Sequence, residues 1–250
     1  MEEYRTELDN IYVQTVSMCT MRCWHCAYGA MPISPQIMPE AFVLRLVDEL
    51  ADINYSRRLT FYGVNEPLLD PRIQDFISYA RKKLPLVRMV ITSNGDLATI
   101  DVVGRLLNAG AAKVNLTIHD EAKAPNLLKI KEYFPNGVTL IDHSSPEKTE
   151  HFHNVGGLIK ASSVQQRRYR DRSCALPFRQ MILYSDCTLG LCCGGYSDDF
   201  RIRIDEAESI LDIYNKNAEL NRYRNMLKSN KRDMFPCSDC SYEGHYNLSE

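Results

Sequence analysis

Cys19-Thr20-Met21-Arg22-Cys23-Trp24-His25-Cys26 places three thiols in a C-x3-C-x2-C spacing. Side chains so spaced reach one point only if the backbone between them wraps around it. Three thiolates closing on one point suit an iron–sulfur cluster. Zinc sites more often use two paired C-x2-C arms, and a disulfide would leave one cysteine over. Three ligands on a four-iron cluster leave one iron open to bind something else. With 9 cysteines in 250 residues, chance would supply about 0.01 such patterns, so scattered core cysteines are the poorer reading.

Outward from this loop, the chain alternates. Residues 11–17 (IYVQTVS) read as a strand from their β-branched content and lead straight into the cysteines. Pro39-Glu40 opens a helix whose apolar face includes Leu44, Val47 and Ala51. Residues 59–64 form a second strand, and Ile73, Phe76, Ile77, Ala80 and Leu84 repeat at helical spacing. A third strand at 87–92, a helix near 99–109 and a strand at 113–118 follow. Another helix leads to a strand at 138–142, and a weaker sixth strand is expected at 155–160. Such alternation argues for parallel βαβ units, and six units rather than eight predict a partial barrel. Each polar motif comes just after a strand: the cysteines, Asn65-Glu66-Pro67, Ser93-Asn94-Gly95, His119-Asp120 and His143. In barrels of this kind those loops share one face, and that face carries the chemistry.

Composition excludes several classes. Hydrophobic residues at 44% and charged at 25% are ordinary for a globular protein. A net charge of −2 gives no electrostatic reason to expect nucleic acid or an anionic membrane as partner. The first ten residues, MEEYRTELDN, show no apolar secretion signal, and no apolar run is long enough to span a membrane. Nine cysteines in such a chain point to metal or catalysis rather than a disulfide framework, and the cytoplasm is the expected location.

The cysteine spacing is that of the radical S-adenosylmethionine (radical SAM) enzymes, which this sequence resembles. The resemblance implies a 4Fe–4S cluster on Cys19, Cys23 and Cys26, whose open iron chelates S-adenosylmethionine. One-electron transfer then releases a 5′-deoxyadenosyl radical that abstracts hydrogen. Tyr62-Gly63-Val64-Asn65-Glu66-Pro67-Leu68-Leu69 resembles the family's GGEP element, in which Glu66 and backbone near Tyr62, Gly63, Asn65 and Pro67 would hold the cofactor's amino group. Gly-Val-Asn-Glu stands here in place of the commoner Gly-Gly-Glu. Ser93 and Asn94 resemble the segment near the cofactor's ribose and carboxylate, and Thr117 and His119 are the next strand's equivalent. His25 stands where the family usually has an aromatic residue whose backbone contacts adenine.

From residue 170 the alternation stops and six more cysteines follow. Cys174 precedes a hairpin at 181–191 with Cys187 near its turn. Then come Cys192-Cys193, a helix over roughly 208–229 carrying Ile210, Ile213, Leu220, Tyr223 and Leu227, and finally Cys237-x2-Cys240. Cys174, Cys192 or its neighbour Cys193, Cys237 and Cys240 would saturate a second cluster. By residue type alone the same thiols could hold structural zinc. Their order resembles the twitch domain, a shortened relative of the SPASM extension of radical SAM enzymes. The resemblance implies a second 4Fe–4S cluster and two domains, a partial (β/α)6 barrel over 1–165 and a twitch domain over 166–250.

Two cysteines remain, Cys187 and the partner left over from the Cys192-Cys193 pair. A protonated thiol is a hydrogen-atom donor, although Cys187 could equally be a small buried hydrophobe. Asn154-Val155-Gly156-Gly157 stands where relatives often have Asn-Arg-Gly-Gly, and Val155 cannot take a proton. His119, His143, His151 and His153 are the alternatives. After loss of a carbinol hydrogen, a substrate carbon radical can lose a proton and an electron, giving a ketone, or regain hydrogen from the other face, giving the epimer. A spare thiol and a missing arginine tilt the expectation to epimerisation, with Cys187 or Cys193 as donor. The rivals are alcohol dehydrogenation, peptide modification and a non-catalytic zinc-binding module. By resemblance to small twitch enzymes the substrate is an aminocyclitol or aminoglycoside carbohydrate of antibiotic biosynthesis, and the electron partner a flavodoxin- or ferredoxin-type reductant. Asp70, Asp96, Asp120 and Asp142 could hold substrate ammonium groups or serve as caps.

Overall fold

β1 (Asn10–Val13) shows how the strands are built, because Ile11 and Val13 are fully buried on one side while Tyr12 turns to the other. A computed structural model describes residues 8–30, 34–149, 152–154, 157–159, 167–194 and 200–244. The cysteine loop and one helical turn, α1 (Ala27–Ala30), follow β1, and α2 (Glu40–Asp52) comes next. α2 buries Phe42, Val43, Leu46, Val47 and Leu50. That stripe is rotated from the expected Leu44–Val47–Ala51 face, and Leu44 and Ala51 are only half-buried. Size does not set the choice, since the smaller Val43 and Val47 are buried while Leu44 is not.

β2 (Arg58–Phe61), α3 (Ile73–Lys83), β3 (Arg88–Ser93), α4 (Ile100–Ala109), β4 (Lys113–Ile118), α5 (Ala124–Tyr133) and β5 (Val138–Asp142) continue the alternation. β1 to β5 pair in parallel, each with the next. Local chemistry sets the helix ends. The Thr99 hydroxyl accepts from the Val102 amide at the start of α4, and Gly110 closes it at φ 117°. Leu59, Phe61, Met89, Ile91, Val114 and Leu116 pack beneath the helices as the main core. The opposite sides of the same strands carry Tyr12, Thr92, Thr117 and Ile141, which face a cavity.

The sixth parallel strand is not where the sequence placed it. Residues 155, 156 and 160 lie outside the described residues, and 157–159 form no strand. Instead, after a short α6 (Leu176–Arg179), β6 (Gln180–Leu183) pairs in parallel with β1 on its other side, Ile11 opposite Met181. Met181, Ile182 and Leu183 are all fully buried, as a strand covered on both faces requires. β7 (Thr188–Gly190) and β8 (Arg201–Arg203) then add antiparallel, so one eight-stranded sheet runs β5-β4-β3-β2-β1-β6-β7-β8. The expected hairpin is therefore β6–β7, and it belongs to the same sheet as the barrel strands. The boundary expected at 165/166 falls outside the described residues.

The single helix expected over 208–229 is two, α7 (Ile210–Lys216) and α8 (Ala218–Lys228). Asn217 breaks the run, its side-chain oxygen accepting from the Glu219 and Leu220 amides. Glu49 of α2 ties this region to the barrel helices. Its carboxylate accepts from the Ser209 hydroxyl and from the Ile210 and Leu211 amides at the start of α7. Among the described residues no helix is long and apolar enough to cross a membrane.

Candidate active site

The loops after β1 to β5 meet over one cavity of about 680 Å³. Its wall includes Cys19, Cys23 and Cys26 from the first loop, and Tyr62, Gly63 and Asn65 from the second. Ser93 and Asn94 come from the third, Thr117 and His119 from the end of β4, and His143 from the end of β5. The structure thus brings His25 and most of the expected cofactor-binding residues together with the first cysteine trio. Glu66 and Pro67 do not line the cavity.

Glu66 is fully buried. One carboxylate oxygen accepts from the Leu68 amide at 2.9 Å and the other from the Asn94 amide at 2.7 Å. Burial raises its pKa, and those hydrogen bonds act against the rise. These partners are backbone groups, but each oxygen keeps acceptor capacity beyond its one amide, so the cofactor amine remains an expectation for Glu66. What Glu66 does is position Asn94, whose side-chain amide donates to Thr20 Oγ1 at 2.9 Å and to Cys19 Sγ at 3.5 Å. The second and third loops are in this way fastened to the cysteine loop.

Gly63 shows how closely these loops pack. A Cβ there would come within 2.9 Å of Gln14 Cβ and 3.0 Å of its Cγ, and Gln14 is buried. Gly63→Ala is expected to destabilise the fold by about 1–3 kcal/mol through overpacking. A urea unfolding curve checks this, and an unmoved midpoint would contradict the packing.

The three thiols sit where burial resists their ionisation. Cys19 and Cys26 have raised pKa values from burial, and Cys23 is pushed up to about 11 by burial and by the Cys26 and Cys19 thiols. Convergent thiols that cannot ionise alone are a donor set for a metal centre, whose positive charge reverses the penalty. Two more observations fit a polar ligand beside such a centre. Both side-chain amide atoms of Asn65 are buried without a hydrogen-bond partner, as is Nδ1 of His25. The first trio therefore fits a cluster with a ligand next to it.

Beside the thiols stands an aromatic group. His25 stacks on His119 at 5.5 Å between ring centres and meets His143 and Phe152 edge-on at 5.6 and 5.2 Å. Burial and the neighbouring imidazoles lower the His25 pKa to about 4, so this ring is neutral. His119 Nδ1 lies 3.8 Å from Cys23 Sγ. Cys23, His25 and His119 also place one donor atom each within 4.8 Å of one another, a mixed trio that would compete with a cluster for Cys23.

In the second group, Cys174 and Cys192 form a buried patch with Leu176, Phe178 and Leu227, and Cys193 and Cys237 pack against it. The charges of Cys193, Cys174, Cys237 and Cys240 all reach Cys192, whose pKa burial raises well above the usual value. Burial pushes Cys174 to about 11 and Cys237 to about 12. This second donor set fits a metal centre on the same grounds. Cys193 differs from its neighbours because it also lines the cavity. It carries a hydrogen bond from the Tyr12 side chain, while burial holds its pKa at about 12.

Cys187 is separated from this site. It stands at the β6–β7 turn at φ 61°, within the charge reach of Asp186, Arg45, Arg203 and Glu206, and does not line the cavity. The acids expected near substrate are also engaged elsewhere. Asp70 holds Arg72 at 2.9 Å through each oxygen, and Asp96 pairs with Lys123. Asp120 accepts from the Ala122 amide, and Asp142 from Ser144 and Lys148. His153 lines the cavity, while His151 and Val155 lie outside the described residues.

Several wall residues carried no motif. Tyr12 could have been found from the alternation of β1. Phe152, Gln180 and Tyr242 lie outside any repeating pattern and reach the cavity only through the fold. Gln180 brings a buried side-chain oxygen without a hydrogen-bond partner.

Comparison with known proteins places these observations in context. Residues 13–134 match the family model described as the Radical SAM superfamily. The chain is 23% identical over 240 residues, 92% of each chain, to the S-adenosyl-L-methionine-dependent 2-deoxy-scyllo-inosamine dehydrogenase of Niallia circulans. It is 27% identical over 117 residues, 47% of this chain and 34% of the other, to the GTP 3',8-cyclase of Chlorobaculum tepidum. Among solved structures, BtrN in complex with AdoMet and 2-DOIA superposes with a TM-score of 0.81 at 22% identity, over 94% of this chain and 93% of that one. At that identity the likeness is one of fold.

Proposed function

We propose, from the premise that this chain is a radical SAM protein, that it is a dehydrogenase oxidising a secondary alcohol of an aminocyclitol to a ketone. The observation that carries this is the end-to-end relationship, 92% of both chains, to an enzyme whose name states that reaction on 2-deoxy-scyllo-inosamine. The epimerisation expected from sequence gives way on two counts. The full-length relative is a dehydrogenase, and Cys187, its first-named hydrogen donor, stands away from the cavity.

Cys19, Cys23 and Cys26 would hold a 4Fe–4S cluster, and Cys174, Cys192, Cys237 and Cys240 a second. S-adenosylmethionine would lie along Tyr62, Gly63, Asn65, Ser93, Asn94, Thr117 and His119. The cluster and cofactor together supply hydrogen-atom abstraction when bound. The remaining work falls to side chains of the chain itself. Oxidation of a carbinol removes one hydrogen atom from carbon, one proton from the hydroxyl and one electron. His143, standing edge-on to Phe152 at 4.5 Å on the cavity wall, takes the proton. Asn65 and Gln180 offer the hydrogen bonds that a hydroxylated ring needs. The electron leaves toward the second cysteine group, of which Cys193 reaches the cavity wall. A flavodoxin- or ferredoxin-type protein serves as reductant of the first centre.

The test is anaerobic incubation of iron- and sulfide-reconstituted protein with S-adenosylmethionine, a strong reductant and 2-deoxy-scyllo-inosamine in deuterated water. The expected product is a ketone equimolar with 5′-deoxyadenosine. An inverted alcohol carrying one solvent deuterium would restore epimerisation instead.

A further inference from the structure

Arg232 is a charged residue that the reaction above leaves without a task. It is 1% exposed, and all its acceptors are backbone carbonyls. Nε donates to Arg172 O at 3.0 Å and Nη2 to Ser173 O at 2.7 Å and Glu243 O at 3.2 Å, while Nη1 donates to Tyr242 O. Among the described residues no carboxylate pairs with it; the nearby Glu243 carboxylate goes to Arg172. A buried charge left with dipoles alone is costly unless an opposite charge stands close by.

A metal centre held by the second cysteine group would supply such a charge. Arg232 clasps the segment entering Cys174 to the segment leaving Cys240. The fit is close. Gly244, at φ 80°, admits no side chain, because a Cβ would stand 2.4 Å from Arg232 Nη2, 2.4 Å from Ser173 O and 3.4 Å from Cys174 Cα. Arg232 also lies within charge reach of Cys174 and Cys237.

We propose that Arg232 is the fixed counter-charge of an iron–sulfur centre on Cys174, Cys192, Cys237 and Cys240, raising its reduction potential so that it can accept the substrate's electron. This rests on the second centre proposed above. One-electron reduction makes a thiolate-bound cluster more negative by one charge. A buried cation beside it stabilises the reduced form more than the oxidised one. Arg232 is thus a positioning residue that acts through the centre and does not touch substrate.

The test uses the full chain with Cys19, Cys23 and Cys26 changed to Ala, so that only the second centre is read. Iron and sulfide are reconstituted anaerobically, iron is counted, and the midpoint is followed by electron paramagnetic resonance. The background protein should bind about four irons. Arg232→Gln should then disfavour reduction about tenfold or more, a midpoint more negative by about 59 mV for one electron. Arg232→Lys, which keeps the charge, should move it by less than half as much. An Arg232→Gln protein with full iron and an unmoved midpoint overturns the proposal. If Arg232→Gln loses its iron, retention by Arg232→Lys supports the charge, and loss in both reduces Arg232 to a clasp. A background protein that takes up no iron fails earlier and removes the second centre itself, an outcome distinct from an unmoved potential.

Discussion

Cys23→Ala is expected to reduce formation of 5′-deoxyadenosine at least a thousandfold, about 4 kcal/mol of lost barrier lowering. The bound iron should fall by roughly half if both proposed centres form, because the first would lose a ligand while the second would keep all of its own. The cost to folding should be small, since Cys23 sits half-buried in a loop and holds no element of the core. Liquid chromatography of the anaerobic reaction and a metal count provide the measurement, and undiminished 5′-deoxyadenosine would end the radical SAM assignment of these thiols. His119→Ala resolves the competition at this site. It leaves the cysteine trio intact, so iron should remain. Loss of metal from that variant would instead assign the site to the mixed Cys23, His25 and His119 group.

Glu66→Ala is expected to be the costliest single change to stability outside the hydrophobic core. It strands two backbone amides, of Leu68 and Asn94, whose acceptor it removes in a fully buried place. Leaving buried donors unmet, together with the space vacated, costs about 3 kcal/mol. For a chain of 250 residues that lowers Tm by roughly 6–12 °C. Glu66→Gln keeps one good acceptor and should lose only about 1 kcal/mol. Because Asn94 also donates to Cys19 Sγ, the Ala variant should lose iron from the first centre as it loosens. A Glu66→Ala protein that melts with the parent would overturn this structural role of the two amide bonds.

Much of the site was legible before the fold was known, and for a specific reason. Cys19, Asn65, Asn94, His119 and His143 each follow a strand of a parallel unit, and Ser93 and Thr117 stand at the ends of such strands. Parallel strands joined by right-handed crossovers put all such positions at one end. Their meeting over one cavity therefore follows from local pattern and chain geometry. The helices that buried large apolar side chains were visible on the same footing, although α2 settled on Phe42, Leu46 and Leu50 rather than on Leu44 and Ala51.

What periodicity could not carry was partner choice and side-chain direction. β6 reads as one arm of a local hairpin, yet its other neighbour is β1, about 170 residues earlier. The same limit applies to Glu66, whose motif placed it near the cofactor while its oxygens turned to the amides of Leu68 and Asn94. It applies also to Cys187 and Cys193, two spare thiols that sequence could not tell apart. The sequence by itself determined where the thiols cluster and on which end of the strands the polar loops gather, because spacing and chain direction are local properties. Only the tertiary structure decided which thiol meets the cavity, where Glu66 spends its charge and that Arg232 stands behind Cys174, because burial and long-range pairing depend on residues far apart in the chain.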